Sequence, residues 1–255
     1  MGIAHDLYDM TGKTAVVTGA GRGIGEGIAT VLADAGAAVV CAARRTDEVE
    51  RVAAEIRAAG GRAIAVTTDV TDNAAVEALA QAAMDEFGSL DTWVNNAGGS
   101  PIRTPLTQLD PAEWKNTMDL NMTAVYNCTL VAVPHMLADG RGGSIINITS
   151  MASFVGTPGS GHYAAAKRAV NSLTETFALE LAPLIRVNGI APGAVPTEIM
   201  MKALGVDEDT VQRYATKIPL GRLGTPTDLG AVALFLASDA AAWITGQTLA
   251  VAGGR

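Results

Sequence analysis

Tyr163 and Lys167 stand four residues apart in the stretch YAAAK, a spacing that places two side chains on one face of a helix. A free phenol titrates at about 10 and is a poor acid or base near neutrality. An ammonium held beside it favours the phenolate and moves the proton toward the range that general acid-base catalysis uses. The same spacing also fits a surface tyrosine lying over a lysine stem. Ser150 favours the chemical alternative. It closes the apolar run SIINITS and precedes the flexible stretch MASFVGTPGSGH, so its hydroxyl can reach the mouth of a cleft lined by the next helix and hydrogen-bond a substrate oxygen there.

A second chemical feature is TGAGRGIG, Thr18 to Gly25, between the apolar run TAVV and the helical pattern EGIATVLADAG. Its glycines are a costly way to start a helix unless something must lie against bare backbone. The spacing of Gly19, Gly23 and Gly25 is not the G-x-G-x-x-G dinucleotide fingerprint. The physics points the same way, because missing Cβ atoms let backbone N–H groups approach a pyrophosphate at the positive end of a helix. A turn with only a structural role needs one or two glycines.

These residues must be positioned by the elements around them. The runs TAVVTG, AAVVCAA, AIAVTTD, DTWVNNAG, SIINITS, IRVNGIAPG and TLAVAGG are short, apolar and β-branched, as strands covered on both faces are. Helical patterns separate them. After Thr71-Asp72, Val76, Leu79, Ala80, Ala83 and Phe87 recur at three-and-four spacing, and Gly88 ends the helix. The alternation predicts one α/β domain over 1–255: a doubly wound parallel sheet of about seven strands with helices on both faces. Ligands then sit beyond the carboxyl ends of the strands. Long helices are expected over roughly 112–138 and 160–182. They carry Trp114, Met118, Val125 and Val133, and Val170, Leu173, Phe177 and Leu181, on more than one face. One face should cover the sheet and another a partner chain.

Composition excludes several classes. Of 255 residues, 49% are hydrophobic and 17% charged, which describes a globule rather than a disordered chain. The net charge of −8 disfavours nucleic acid and anionic membranes as partners. The apolar run AGAAVVCAA is too short to span a bilayer, and MGIAHDLYDM lacks the pattern of a targeting peptide, so a cytoplasmic location is expected. Cys41 and Cys128 have no paired spacing, and His5, His135 and His162 have none that suits a metal.

Together with the glycine turn and Ser150, NNAG (Asn95 to Gly98) and YAAAK resemble the short-chain dehydrogenase/reductase family over nearly the whole chain. LNMTAVY, RVNGIAPGAVPTEI and ITGQTLAVAGG agree, and NNAGG, NITSMA and RVNGIAPGA look most like the family's bacterial hydroxysteroid dehydrogenases. The resemblance implies reversible hydride transfer between nicotinamide C4 and a carbonyl or secondary alcohol carbon. In that scheme Ser150 polarises the carbonyl, Tyr163 moves the proton, and Lys167 lowers the tyrosine pKa and holds the nicotinamide ribose. Asn121 completes the set by distorting its helix and positioning a water that leads to Lys167.

For cofactor binding the resemblance implies Gly19, Arg22, Gly23, Ile24 and Gly25 at the turn, and Asp69 and Val70 at the adenine. Asn95 would be a strand-stabilising asparagine near the adenosine ribose and bind the cofactor along with Ala97 and Gly98, with Pro192, Gly193 and Thr197 at the nicotinamide end. It also implies a homodimer or homotetramer, usually the latter. Two features depart from the family pattern. Its usual VDGG is Val251-Ala252-Gly253-Gly254 here, and APLIRVN is one residue shorter than the common turn into the sixth strand.

NADP(H) is the expected cofactor, with NAD(H) possible. An acidic residue about twenty residues past the glycines binds the ribose 2′-OH and repels a 2′-phosphate. This chain has Ala43 there, then Arg44, and Arg22 precedes the second family glycine. Two guanidinium groups could converge on one phosphate. A helical lid over 194–217, carrying Met200, Met201 and Leu204, would face Met151, Phe154 and Val155 across an apolar pocket. That pocket suits an alicyclic, steroid-like or aryl ketone. A 3-oxoacyl-thioester reductase is disfavoured, because only Arg168 accompanies Glu175 and Glu180 after Lys167 where an acidic carrier would dock. A nonenzymatic redox sensor would have no need of Ser150, Tyr163 and Lys167.

Overall fold

Seven short runs of β-branched and small residues pair in parallel in the order β3-β2-β1-β4-β5-β6-β7 in a computed structural model that describes residues 2–138, 140–198 and 213–254. The strands are β1 (Thr14–Thr18), β2 (Ala38–Ala43), β3 (Arg62–Thr67), β4 (Thr92–Asn95), β5 (Gly143–Ile148), β6 (Ile185–Pro192) and β7 (Thr248–Val251). Every residue of β1 and β4 is buried, which is why these runs are apolar throughout rather than alternating. The chain winds outward from β1 to β3, then returns to place β4 on the other side of β1. That reversal opens a crevice at the carboxyl ends of β1 and β4.

Eight helices are named here: α1 (Ile3–Leu7), α2 (Gly23–Asp34), α3 (Thr46–Ala58), α4 (Asn73–Phe87), α5 (Pro111–Met118), α6 (Ala124–Leu137), α7 (Gly161–Glu180) and α8 (Pro226–Ala237). One sheet face is covered by α2, α3 and α8 through Ile28, Leu32, Val49, Val52, Leu229 and Leu236. On the other, α4, α6 and α7 bring Val76, Leu79, Cys128, Met136 and Phe177 against Trp93 and Ile145. The predicted helix after Thr71-Asp72 is α4. The Asp72 carboxylate accepts from Ala74 N at 3.0 Å, and Gly88 closes the helix at φ 79°. Leu79→Ala would remove a fully buried side chain and cost about 2–5 kcal/mol. α2 and α8 cross at glycines: a Cβ on Gly230 would lie 2.7 Å from the Gly27 carbonyl oxygen, and one on Gly27 2.5 Å from Pro226 Cβ. Only bare backbone lets these helices approach so closely.

The helix expected over 112–138 is interrupted. α5 and α6 are joined by a π-turn over Asp119–Thr123, and the expected 160–182 helix runs from Gly161 to Glu180. Val125, Val170 and Phe177 are buried within the protein, whereas Trp114, Tyr126, Leu130, Leu137 and Leu179 are exposed. The outward apolar face is therefore made largely by residues other than those singled out from the sequence. The ring of Tyr126 stacks on Phe177 at 6.1 Å between centroids. Both cysteines are buried, and burial pushes their thiols up to about 12, so neither is a ready nucleophile. Among the described residues no helix is long and apolar enough to cross a membrane.

Candidate active site

The glycine turn links β1 to α2 and is clasped from the neighbouring strand. Thr18 Oγ1 donates to Val94 O and accepts from the backbone N–H groups of Asn96 and Ala97. Asn96 Nδ2 donates to the carbonyls of Thr18 and Gly19 at 2.9 and 3.1 Å. A Cβ on Gly25 would come within 2.2 Å of Gly19 O, and one on Gly19 within 2.8 Å of Asn96 Nδ2. These two glycines therefore serve the close packing of turn, helix and strand. Gly23 has φ 57° and lies beside Thr197, whose Cγ2 is 3.1 Å from where its Cβ would be.

The start of α2 carries no side-chain cap, whereas α4, α5 and α8 are capped by Asp72, Asp110 and Thr225. Orphan N–H groups at a helix start, in a glycine turn that opens on a cleft, suit a phosphate. The cleft is about 1300 Å³ and runs from this turn to Ser150, Tyr163 and Lys167. Gly19, Arg22, Gly23, Ile24, Gly25, Arg44, Asp69, Val70, Ala97, Gly98, Pro192, Gly193 and Thr197 line it as expected from the sequence. On its wall Thr149 Oγ1 is buried without a hydrogen-bond partner, a polar atom left for a ligand. The lining fits a dinucleotide.

Asn95 does not reach the cleft, which corrects its placement near a cofactor. Its side chain lies in the sheet, where Nδ2 donates to Asn147 Oδ1 at 2.9 Å and Oδ1 accepts from Trp93 Nε1 at 2.8 Å. As the last residue of β4 it points inward, while the next residue leaves the strand and takes the cleft position. Asn96 and Thr18 were not singled out from the sequence. The signal was available in the asparagine pair at a strand end, where successive side chains face opposite ways.

At the other end of the cleft Ser150 follows β5, and its Oγ accepts from Ala152 N at 3.1 Å, leaving the hydroxyl hydrogen for another acceptor. Lys167 is buried on α7, and its Nζ donates to Ile148 O at 2.9 Å and lies 5.8 Å from the centre of the Tyr163 ring. Burial pushes the lysine ammonium down to about 8. Burial also raises the Tyr163 phenol above its ordinary value, and the nearby Ser150 hydroxyl offsets part of that rise. The expected lowering by the ammonium is therefore not seen in this structure, where desolvation sets the direction.

Asn121 sits inside the π-turn, fully buried. Its Oδ1 accepts from Gly99 N at 2.7 Å, and its Nδ2 donates to the carbonyls of Gly99 and Thr117 at 3.1 and 3.0 Å. The widened turn fastens the segment after β4 to the helix. The same segment is held again at Ser100, whose Oγ is 3.0 Å from His162 Nε2.

Arg22 and Arg44 do not converge in the structure. Arg22 pairs with Glu198 and lies 4.0 Å from Glu48, because both carboxylates border the glycine turn. Arg44 is exposed and forms no ion pair among the described residues; the Asp69 carboxyl is lowered from its ordinary value mainly by the hydrogen bonds from Thr71 and also by the Arg44 charge. Arg45 pairs with Glu48 at 3.0 Å. Ala252, which replaces the usual aspartate, packs beside Gly193, where a Cβ would approach it to 2.8 Å. Most of the expected lid, including Met200, Met201 and Leu204, lies outside the described residues. Met151 and Phe154 follow Ser150, and Phe154 and Val155 are exposed. Among the described residues no three His, Cys, Asp or Glu side chains gather as a metal site would require.

Residues 19–255 match the family model described as enoyl-(acyl carrier protein) reductase. The chain is 43% identical over 245 residues to cis-4-hydroxycyclohexanecarboxylate dehydrogenase of Sinomonas cyclohexanicum, covering 95% of this chain and 96% of that one. It is 42% identical over 244 residues to the 3-oxoacyl-acyl-carrier-protein reductase of Staphylococcus aureus, covering 95% and 97%. A solved 7α-hydroxysteroid dehydrogenase, in complex with NADH and 7-oxo glycochenodeoxycholic acid, superposes with a TM-score of 0.92 at 37% identity, over 100% of this chain and 98% of that one.

Proposed function

Because this chain belongs to the short-chain dehydrogenase/reductase family and is an oxidoreductase of CH–OH groups, we propose that it interconverts an alicyclic or steroid-like ketone and its secondary alcohol with NADP(H). The observation that carries this is the junction of two arrangements in one cleft: an uncapped glycine turn at one end, and Ser150, Tyr163 and Lys167 at the other. The cofactor, once bound, supplies a hydride to the carbonyl carbon or accepts one from the carbinol carbon. Ser150 Oγ donates a hydrogen bond to the substrate oxygen and polarises the bond. The Tyr163 phenol delivers its proton to that oxygen in reduction and recovers it in oxidation. Lys167, buried against Ile148 O, stabilises the phenolate that forms.

Asn121 positions the wall opposite by gripping Gly99. For NADP(H), the supporting observation is the pairing of Ala43, which cannot repel a phosphate, with an exposed Arg44 that no described carboxylate pairs. Arg22 can join it only by leaving Glu198. The alicyclic relative and the steroid complex support a ring-shaped substrate, and the carrier-protein relative keeps the acyl-thioester alternative in the test. Steady-state rates with cyclohexanone-type, steroid and acyl-thioester ketones, each with NADPH and NADH, test both parts. The expected result is turnover of ring ketones with the higher kcat/KM for NADPH, and a higher value for NADH overturns the cofactor assignment. Assembly as a dimer or tetramer through Trp114, Tyr126, Leu130 and Leu179 completes the proposal. Sedimentation of a monomer at micromolar concentration would refute it.

A further inference from the structure

Arg103 is the one charged side chain that the segment between β4 and α5 contributes to the cleft among the described residues. It is exposed and has no ion pair or hydrogen bond among the described residues, while Arg22, Arg45, Arg51 and Arg222 all meet carboxylates. In a chain of net charge −8 it is, like Arg44, a cleft-lining guanidinium without an ion pair among the described residues, but it is carried by the segment between β4 and α5 rather than by the loop after β2.

Its mount is rigid. The segment that carries it is tied to Asn121 through Gly99, to His162 through Ser100, and to the loop before α7 by Thr104 N donating to Gly159 O at 2.8 Å. Within the segment, Ile102 N reaches Ser100 Oγ at 3.4 Å. Of the anchors, His162 adjoins Tyr163 on α7 and Gly159 lies just before that helix, so the backbone that carries Arg103 is held near the catalytic group while its side chain stays free to reach a ligand. His162 is fully buried, so one end of the Ser100 tie is fixed within the fold while Ser100 itself borders the cleft.

We propose that the substrate carries a carboxylate remote from its carbonyl and that Arg103 grips that carboxylate, setting both affinity and the direction in which the ring enters. This rests on the ketone-reductase proposal above. A planar guanidinium matches a carboxylate with two parallel hydrogen bonds, and no neighbouring acid competes for it among the described residues.

Two measurements test the assignment in the wild type, Arg103→Gln and Arg103→Lys, each saturated with nicotinamide dinucleotide. Calorimetry compares binding of cyclohexanecarboxylate with that of cyclohexanecarboxamide. Kinetics compare kcat/KM for 4-oxocyclohexanecarboxylate with that for its methyl ester. In the wild type the acid is preferred in both assays. In Arg103→Gln that preference falls about ten- to a hundredfold, mostly through KM, with the amide and ester unaffected, and Arg103→Lys keeps part of it. An equal preference in wild type and Arg103→Gln, or no carboxylate binding to the wild type, overturns the proposal. If neither ketone turns over while calorimetry still shows an Arg103-dependent preference for the acid, the anion site stands and the ring-ketone proposal falls. If acid and ester turn over alike in wild type and Arg103→Gln, the ketone proposal stands and the anion site falls.

Discussion

At the amino end of the sheet, Asp91 is surrounded by donors. Its Oδ2 accepts from Thr14 N at 2.9 Å and from Ser89 Oγ at 2.8 Å, and Lys13 and Arg141 lie within 3.8 Å and 3.7 Å of Oδ1. The Asp91 carbonyl accepts from Ser144 N, which ties three strands together. At the carboxyl end the charged group is treated differently: buried Lys167 has one carbonyl as its partner and the start of α2 is uncapped, while each end keeps one buried hydroxyl without a partner, Thr149 Oγ1 here and Thr92 Oγ1 beside Asp91. Saturated polar groups hold a fold together, whereas unsaturated ones cost stability and are kept where a ligand completes them.

Breaking each end separately tests this contrast. Tyr163→Phe removes the proton donor and leaves the ring, so turnover should fall about 10²–10⁴-fold or more while thermal stability stays the same. Retention of substantial turnover would remove Tyr163 from the chemistry. Asp91→Ala should do the reverse. It strands Thr14 N and leaves Ser89 Oγ with Thr14 Oγ1 alone, costs about 3 kcal/mol in denaturant unfolding, and leaves kcat in folded protein near the wild-type value.

Lys167→Met sharpens the contrast further, since a charge held at the expense of stability should stabilise the protein when removed. The lysine titrates near 8 when folded and near 10.5 when unfolded. Below about pH 8 both states are protonated and the burial penalty is fully present; between 8 and 10.5 only the unfolded state holds the proton, so wild-type stability rises with pH. The variant should therefore melt higher than wild type at pH 7, by an amount that shrinks toward pH 10, and be inactive throughout. Equal melting temperatures across that range would mean that the buried ammonium carries no penalty. The smallest effect expected is that of Arg44→Ala, which should weaken NADPH binding about ten- to a hundredfold and leave NADH nearly unchanged, as read by fluorescence titration.

The seven-stranded parallel sheet and α4 with both caps were legible in the sequence, because each rests on local pattern: continuous apolar runs, Asp72 and Gly88; the order of the strands came only with the structure. The π-turn was not. One extra residue in a helical turn leaves no mark on hydrophobic spacing, and only Asn121 among apolar neighbours hinted at it. Asn95 was misplaced for a related reason, since two identical neighbours differ in function only by which side of β4 they face. The competition of Glu198 and Glu48 for Arg22 was hidden because these residues are far apart in the chain and meet only after folding. The raised Tyr163 phenol follows from burial, which spacing cannot report.

The glycine crossing of α2 and α8 bears on how the chain is made. Synthesis delivers α2 early, already rich in Ile28, Leu32 and other residues that must be shielded, yet the helix that seats on Gly27 begins only at Pro226. Until the last segment leaves the ribosome, that side of the nascent sheet is uncovered, and no local rearrangement can substitute for a partner shaped to bare backbone. Folding of this face therefore waits for α8, and a chain cut before Pro226 should expose the apolar side chains that α8 would cover.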